Sequence, residues 1–181
     1  VSAGTAALAS SVAAAPRASV TVALVSDIGR FNDKSFNQSQ LEGLDRAKRN
    51  LGIAAVPLQS NSVSDYLPNL TQAIRRKADL VISAGFLLAN ATATVAKKFP
   101  DTKFAITDYP VEAAPFADKK GKPLYKNVEG LTYAANESGC LVGVLAAKMA
   151  QKSGKKIIGA VGGIKIPPVD IWIAGYKFCA K

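Results

Sequence analysis

Carboxylates, an amide and a phenylalanine gather in one short loop near the beginning of the chain. Asp27 comes just after the apolar run Val20–Val25, and Phe36 and Asn37 open the amphipathic stretch beyond the loop. Carboxylates and amides hydrogen-bond to polar ring edges, while a phenylalanine ring offers a face for stacking. The loop therefore predicts a binding site for an aromatic ring that carries polar groups at its edges.

Each of these residues also has a purely structural interpretation. An aspartate such as Asp27 can cap a turn, and a phenylalanine at a helix start often packs into the core. Phe31, in the same loop, is able to fill that core position, which would leave Phe36 free to stack on a ligand.

Two later apolar runs end in further candidate residues. Asp108 follows the fourth run, and Gly85 and Phe86 follow the third. Because ligands of open α/β sheets bind outside the carboxyl ends of the strands, Asp108 is expected at the same sheet edge as Asp27. Gly85 would let the backbone approach a ligand closely, although a simple strand-to-helix turn also explains it.

An alternation of strand-like and helix-like stretches must position these loops. The strand-like runs are Val20–Val25, Ala54–Leu58, Leu80–Ser83, Phe104–Thr107, Val128–Tyr133 and Lys156–Val161. The helix-like stretches are Ser35–Asn50, Tyr66–Lys77, Leu88–Phe99, Glu137–Lys152 and Pro167–Lys181. This order predicts an α/β fold in which a parallel sheet carries helices on both faces, joined by right-handed crossovers.

Local signals mark the first helix and one long loop. Ser35 and Gln38 form a capping-box pattern at the start of the helix, and Gly52 marks its end. Residues 110–127 are rich in Pro, Lys, Ala and Gly, a composition that predicts a loop.

Composition narrows the chemistry that the chain can perform. Histidine is absent from the 181 residues, which excludes Ser-His and Cys-His nucleophile pairs. Cys140 and Cys179 form no CxxC pattern, which argues against a structural zinc site, and we expect each cysteine to be a small buried apolar residue. We predict no metal site and no cofactor. Asp27 and Asp108 could serve acid–base chemistry, but without an activated nucleophile the pattern favours ligand binding over catalysis.

The chain carries more basic than acidic residues. The net charge is +10, which favours anionic partners in general. The lysines are spread along the chain and accompany no nucleic-acid motif, so we predict a solvated basic surface and no nucleic-acid partner.

Residues 1–19 differ from the rest of the chain. They are rich in Ala and Ser and contain no acidic residue, and Ala13-Ala14-Ala15 offers a small-x-small cleavage pattern. The segment is interpreted as a signal-peptide remnant or as a disordered extension, and Pro16 argues against cleavage directly before it.

The run Asp27–Gln38 resembles the signature of the basic membrane protein family, whose members are substrate-binding proteins of ABC transporters. Further matches follow in family order at Ile82–Phe86, Phe104–Asp108, Glu137–Gly143, Val161–Gly163, Pro167–Val169 and Gly175–Lys177. The resemblance covers Val20 to Lys181.

The resemblance implies a fold similar to type I periplasmic binding proteins, in which two lobes close on a ligand. Residues 20–134 would form a nearly complete first lobe, and residues 135–181 would begin the second. The implied ligand is a purine nucleoside or a related small molecule, and the implied partner is an ABC transporter permease. Phe36 would stack on the base, Asn37 and Asp108 would hydrogen-bond to base or ribose edges, and Asp27 would complete the same wall. Gly85 and Phe86 are weaker candidates for ligand contact.

Two departures from the family pattern shape the remaining expectations. Family lipoproteins carry a lipidated cysteine after the signal, and residues 1–19 contain none, so a soluble periplasmic or cell-surface protein is expected. Family members are also much longer, so the chain resembles a fragment or truncated product whose unfinished second lobe favours self-association. The alternatives are a surface adhesin or signalling protein of the same family and, less favoured, a nucleoside-processing enzyme.

Overall fold

The computed structural model describes residues 20–181, so the predicted signal-peptide remnant lies outside the described residues. Five strands form one sheet: β1 (Thr21–Ser26), β2 (Ala54–Leu58), β3 (Leu80–Ala84), β4 (Lys103–Thr107) and β5 (Val128–Leu131). They lie in the order β2-β1-β3-β4-β5, and every neighbouring pair is parallel. The parallel sheet predicted from the alternation is confirmed.

The helices follow the predicted stretches closely. They are α1 (Phe36–Leu51), α2 (Tyr66–Arg75), α3 (Ala89–Lys98), α4 (Ala135–Lys152) and α5 (Pro167–Cys179). Short 3₁₀ turns precede α2 and α3, at Val63–Asp65 and Phe86–Leu88. Gly52 ends α1 with a left-handed conformation, as its position predicted.

The alternation of side chains along β1 divides the core into two layers. Ala23 and Val25 pack on one side of the sheet, in a cluster that includes Leu70 of α2 and Val95 of α3. Val22 and Leu24 pack on the other side with Leu44 of α1. Because successive strand residues point to opposite faces, buried runs such as this one require helices on both faces, and the structure has them.

The long connection between β4 and β5 is a loop, as predicted. Buried aromatic residues tie it to the sheet, and the ring of Tyr109 lies 5.4 Å from that of Phe116. At its end Asn127 donates hydrogen bonds to the carbonyl oxygens of Ala96, Phe99 and Thr102. These contacts hold the loop, and with it the start of β5, against α3.

The predicted strand Lys156–Val161 is wrong. These residues form no strand in the structure and pair with none of the five strands of residues 20–181. Ile157 is 88% exposed and Val161 is fully exposed. An isolated extended segment has no neighbour for its backbone hydrogen bonds, so an apolar pattern alone does not make it a strand.

Helices α4 and α5 pack against each other at very close range. A Cβ on Gly139 would collide with the carbonyl of Trp172, and one on Gly143 would collide with the carbonyl of Tyr176. A disulfide joins Cys140 to Cys179 across the pair. The expectation of two separate apolar cysteines was therefore wrong, because the helix packing brings together residues that are 39 positions apart. The assignment of residues 20–134 and 135–181 to two lobes stays a prediction.

Candidate functional site

A cavity of about 750 Å³ lies at the carboxyl ends of β1, β3 and β4. Its sheet-side wall contains five of the six residues selected from the sequence, Asp27, Phe36, Gly85, Phe86 and Asp108. The facing wall comes from residues 161–173, with Ala135 at its margin. The parallel topology therefore brings together residues from three separate loops, as the common sheet edge predicted.

Gly85 sets the distance between β3 and the Phe36 ring. It has φ 104° and ψ 163°, a conformation open essentially to glycine alone. A Cβ on Gly85 would lie 3.0 Å from Cε1 of Phe36 and 3.5 Å from Oδ2 of Asp27. The glycine thus lets an aromatic ring and a carboxylate oxygen converge on the same backbone turn.

The two phenylalanines of the loop occupy different places. Phe31 is half-buried and packs against the cluster of Val22, Leu24 and Leu44. Phe36 is half-buried as well, but it lines the cavity. Phe31 therefore lies against the core as expected, and the stacking role of Phe36 stays a prediction.

Only one oxygen of Asp27 is engaged by its own loop. Oδ1 accepts hydrogen bonds from the backbone N–H of Gly29 at 2.8 Å and from Nδ2 of Asn37 at 2.7 Å. Oδ2 is the oxygen that lies near Gly85, on the cavity side. A carboxylate held in this way presents a fixed hydrogen-bond acceptor.

Asn37 is not part of the cavity lining. Its side chain is 2% exposed, and Nδ2 donates to Asp27 and, at 3.2 Å, to Oδ2 of Asp33. The sequence predicts that Asn37 lines the cleft, and the family resemblance implies that it hydrogen-bonds to the ligand. In the structure it lies beneath the site, because two neighbouring carboxylates require its amide protons.

Asp33, which the sequence analysis did not select, caps α1. Its carboxylate accepts hydrogen bonds from the backbone N–H groups of Ser35, Asn37 and Gln38. Burial alone would raise its pKa, but these backbone hydrogen bonds and the Asn37 amide together lower the pKa below its ordinary value. The predicted capping box is wrong: the Ser35 side chain makes no capping hydrogen bond, because the preceding turn places Asp33 over the helix start.

Asp108 stands directly after β4 in a left-handed backbone conformation, with φ 61°. Its N–H donates to the carbonyl of Leu131 at 2.8 Å, which fixes the turn against β5. Burial raises the pKa of the Asp108 carboxyl above its ordinary value. The site therefore combines two carboxylates from different strands, one held by an amide and one partly desolvated.

A hydrogen-bonded chain under the cavity was also missed by the sequence analysis. The Thr107 hydroxyl accepts from the N–H of Gly85 at 2.8 Å and donates to Oε1 of Gln40 at 3.3 Å. It links β3, β4 and α1 immediately below the wall. Thr107 stands next to Asp108, but the sequence carries no signal that pairs it with residues 22 and 67 positions away.

Trp172 is the aromatic residue of the facing wall, and it too was not selected. It belongs to α5, lines the cavity, and stacks on Tyr176 with ring centroids 5.7 Å apart. The sequence offered one signal for this residue: it is the single tryptophan, and it lies near the paired prolines that open a helix.

Within residues 20–181, no three His, Cys, Asp or Glu side chains cluster closely enough to hold a metal ion. In the same range, none of the helices is long and apolar enough to cross a bilayer.

The Bmp family model, which describes PnrA-like ABC transporter substrate-binding proteins, matches residues 20–181. The chain belongs to this family. The Bmp assignment confirms the resemblance carried by the Asp27–Gln38 run, and it makes the chain a member of a substrate-binding family of ABC transporters.

Named Bmp relatives support the same assignment. The chain is 38% identical to the ABC transporter nucleoside-binding protein BmpA of Lactococcus lactis, over 88% of this chain and 42% of the relative. It is 36% identical to an uncharacterized lipoprotein of Pyrococcus abyssi, over 90% of this chain and 38% of the relative. These names agree with the predicted location outside the cytoplasm, in the periplasm or at the cell surface.

Solved structures confirm the fold class. An ABC transporter solute-binding protein from Aeropyrum pernix matches with a TM-score of 0.75 and 29% identity, over 89% of this chain and 42% of that chain. One from Conexibacter woesei matches with a TM-score of 0.64 and 28% identity, over 89% and 50%. The chain spans about two-fifths of the length of the curated relatives it matches.

Proposed function

We propose that the cavity belongs to the ligand site of an ABC transporter substrate-binding protein and takes a purine nucleoside or a closely related small molecule. The observation that carries the proposal is the convergence of the Phe36 ring with Oδ2 of Asp27 and the carboxyl of Asp108 in one cavity. The relative from Lactococcus lactis named as nucleoside-binding points to the same ligand class.

The chemistry of the wall fits a nucleoside better than a nucleotide. The Phe36 face would stack on the base, which aromatic groups do in offset arrangements. The carboxylates of Asp27 and Asp108 accept hydrogen bonds, so they suit ribose hydroxyls and ring N–H donors. The same two negative charges would repel a phosphate group, which makes a nucleoside monophosphate a poor ligand.

We propose that residues 20–134 form the first lobe and that residues 135–181 begin the second, with the ligand between them. The facing wall of Val161, Ile164, Val169, Trp172 and Ile173 is largely apolar. It would cover the ligand from the side opposite Phe36 and exclude water from the hydrogen bonds to the carboxylates. Phe86 would extend the aromatic wall, because its ring rests on that of Tyr109 at 4.6 Å.

We propose binding without catalysis, as the membership of a substrate-binding family supports. The partner of the whole protein would be a transporter permease, with the protein outside the cytoplasm. Steady release of free base from a nucleoside, lost in Asp27→Asn or Asp108→Asn, would overturn this part of the proposal.

The proposal is tested by titrating the 181-residue chain with inosine, guanosine and adenosine. Isothermal calorimetry measures the affinity, and NMR identifies the residues whose signals change. We expect weak binding, with perturbed signals at Asp27, Phe36, Gly85 and Asp108. Affinity depends on burying a ligand from all sides, and the described cavity has few polar groups on its facing wall.

Matched variants make the titration specific. Phe36→Ala removes the stacking face and should weaken binding by at least about fivefold, since an aromatic pair contributes about 1 kcal/mol beyond its buried area. Phe178→Ala removes an exposed phenylalanine outside the cavity and should leave binding unchanged. Equal effects of the two variants, or tighter binding of inosine monophosphate than of inosine, would contradict the proposal.

A further inference from the structure

Asn37 is the most deeply buried polar side chain at the start of α1, and it contacts two carboxylates at once. Nδ2 lies 2.7 Å from Oδ1 of Asp27 and 3.2 Å from Oδ2 of Asp33. The orientation of the amide follows from this environment, because the NH₂ group must face the two acceptors and the oxygen must face away.

The loop is built around this amide group. A Cβ on Gly29 would lie 2.6 Å from Nδ2 of Asn37 and 3.0 Å from Oδ1 of Asp27. The absence of a side chain at Gly29 is therefore what allows the amide and the carboxylate to meet. The N–H of the same glycine supplies the second hydrogen bond to Oδ1.

We infer that Asn37 is a positioning residue for the ligand site, acting through Asp27 without touching the ligand. By holding Oδ1, it turns Oδ2 toward the turn at Gly85, where the cavity begins. Asp33 fixes the amide from its other side and, through its three backbone hydrogen bonds, ties this arrangement to the first turn of α1. The expected effect of Asn37 on ligand affinity rests on the proposed function.

A purely structural role for Asn37 would make a different prediction. A buried asparagine that only fills space or satisfies the backbone contributes to stability alone. Asn127 is such a residue: it is also buried, and its Nδ2 donates to three backbone carbonyls next to α3, away from the cavity lining. Asn127→Ala is therefore the matched control for Asn37→Ala.

The first measurement needs no ligand. The amide proton of Gly29 donates to Oδ1 of Asp27, so its NMR signal reports the orientation of that carboxylate. In Asn37→Ala we expect this signal to shift and its hydrogen exchange to accelerate at least tenfold, with no such change in Asn127→Ala. An unchanged Gly29 signal in a folded Asn37→Ala variant would overturn the inference.

If Asn37→Ala does not fold, Asp27→Ala tests the same hydrogen bond from its other end. This change removes the acceptor at a half-buried loop position, and the side-chain NH₂ signals of Asn37 should move markedly upfield. Signals of Asn37 that stay in place would show that its amide is not held by Asp27.

The second measurement is a double-mutant cycle on inosine affinity. Asn37→Ala should weaken binding roughly tenfold, as expected for losing the alignment of one charged hydrogen-bond acceptor. In the Asp27→Ala background it should cause no further loss, because the group that it positions is gone. Additive losses would overturn the inference. If the wild-type chain binds no nucleoside, the proposed function fails, while the Gly29 signal still decides the role of Asn37.

Discussion

The ring of Phe36 rests directly on the backbone of Gly85. A Cβ added to Gly85 would lie 3.0 Å from Cε1 of that ring. This contact joins the first turn of α1 to the end of β3. It limits where the aromatic face can stand relative to Asp27, whose Oδ2 would lie 3.5 Å from the same added Cβ.

Gly85→Ala should lower stability by about 1–3 kcal/mol, because alanine at φ 104° and ψ 163° is strained and its Cβ crowds Phe36. Urea unfolding measures the loss. Gly43→Ala is the control: Gly43 lies in α1 with no atom within 4 Å of an added Cβ, so alanine should stabilise the helix by about 0.5–1 kcal/mol. Similar effects of the two substitutions would refute the account of Gly85.

Asp33→Ala should cost about 1 kcal/mol, the usual contribution of an N-terminal helix cap. The pKa of Asp33 is lowered in the folded state, so its contribution is fully present above the ordinary value of 3.8 and is lost as the pH falls through the folded value. The wild type and the variant should therefore converge in stability at the acid end of a pH series. A difference that stays constant down to pH 2 would contradict this assignment.

Asp108→Asn should raise stability at pH 7 while weakening ligand binding. Burial raises the pKa of Asp108, so the charged carboxylate opposes folding, and this opposition disappears as the pH falls below the ordinary value. Asparagine tolerates the left-handed conformation at φ 61° and carries no charge. Thermal unfolding at pH 7 and pH 3 should show a gain only at the higher pH, and a loss of stability at pH 7 would show that the carboxylate is needed for folding.

Reduction of the Cys140–Cys179 disulfide should destabilise the α4–α5 pair by about 4 kcal/mol, the loop-closure estimate for 39 residues of separation. Trp172 is the single tryptophan and lies on α5, so its fluorescence reports this pair selectively. Guanidinium unfolding with and without a reductant is the measurement. A double Cys140→Ser, Cys179→Ser variant should match the reduced wild type and ignore the reductant; if it does not, the effect of the reductant has another source.

We expect the chain to self-associate through the outer face of α4. Leu141 and Leu145 are 73% and 59% exposed there, and large exposed apolar patches mark interaction surfaces. Light scattering after size exclusion should show a shift toward monomer for Leu141→Lys with Leu145→Lys. Leu51→Lys changes a residue at the end of α1 that is equally exposed, at 74%, and should leave the association unchanged. A wild-type chain that is monomeric at high concentration would contradict the expectation.

The sheet could be predicted from the sequence because the pattern of apolar residues that marks each strand is local. Buried runs such as Val22–Val25 and the helical spacing between them require no knowledge of distant residues, and the common edge of parallel strands then brings Asp27 and Asp108 together. The predicted strand at Lys156–Val161 failed for the same reason, since a strand also needs a neighbour, which no local pattern supplies.

The site's supporting contacts could not be predicted from spacing. Whether Asn37 faces a ligand or a carboxylate depends on the turn that places Asp33 and Asp27 on either side of it. The disulfide likewise depends on glycines at Gly139 and Gly143 that let two helices approach closely. Such contacts arise from packing between elements, which residue types along the chain do not specify.

The place of β1 in the sheet affects how the protein can be made. Of the five strands in residues 20–181 it comes first along the chain, yet it lies between β2 and β3 and pairs with both. A nascent chain cannot enclose it until Leu58 and then Ala84 have emerged, and β4 and β5 afterwards add to one side only. Contacts between segments that are far apart in sequence slow folding, so closure of the sheet around β1 has to wait for both of its partner strands. Until Ala84 is in place, β1 has at most one of its two partner strands, and the sheet stays open at this position.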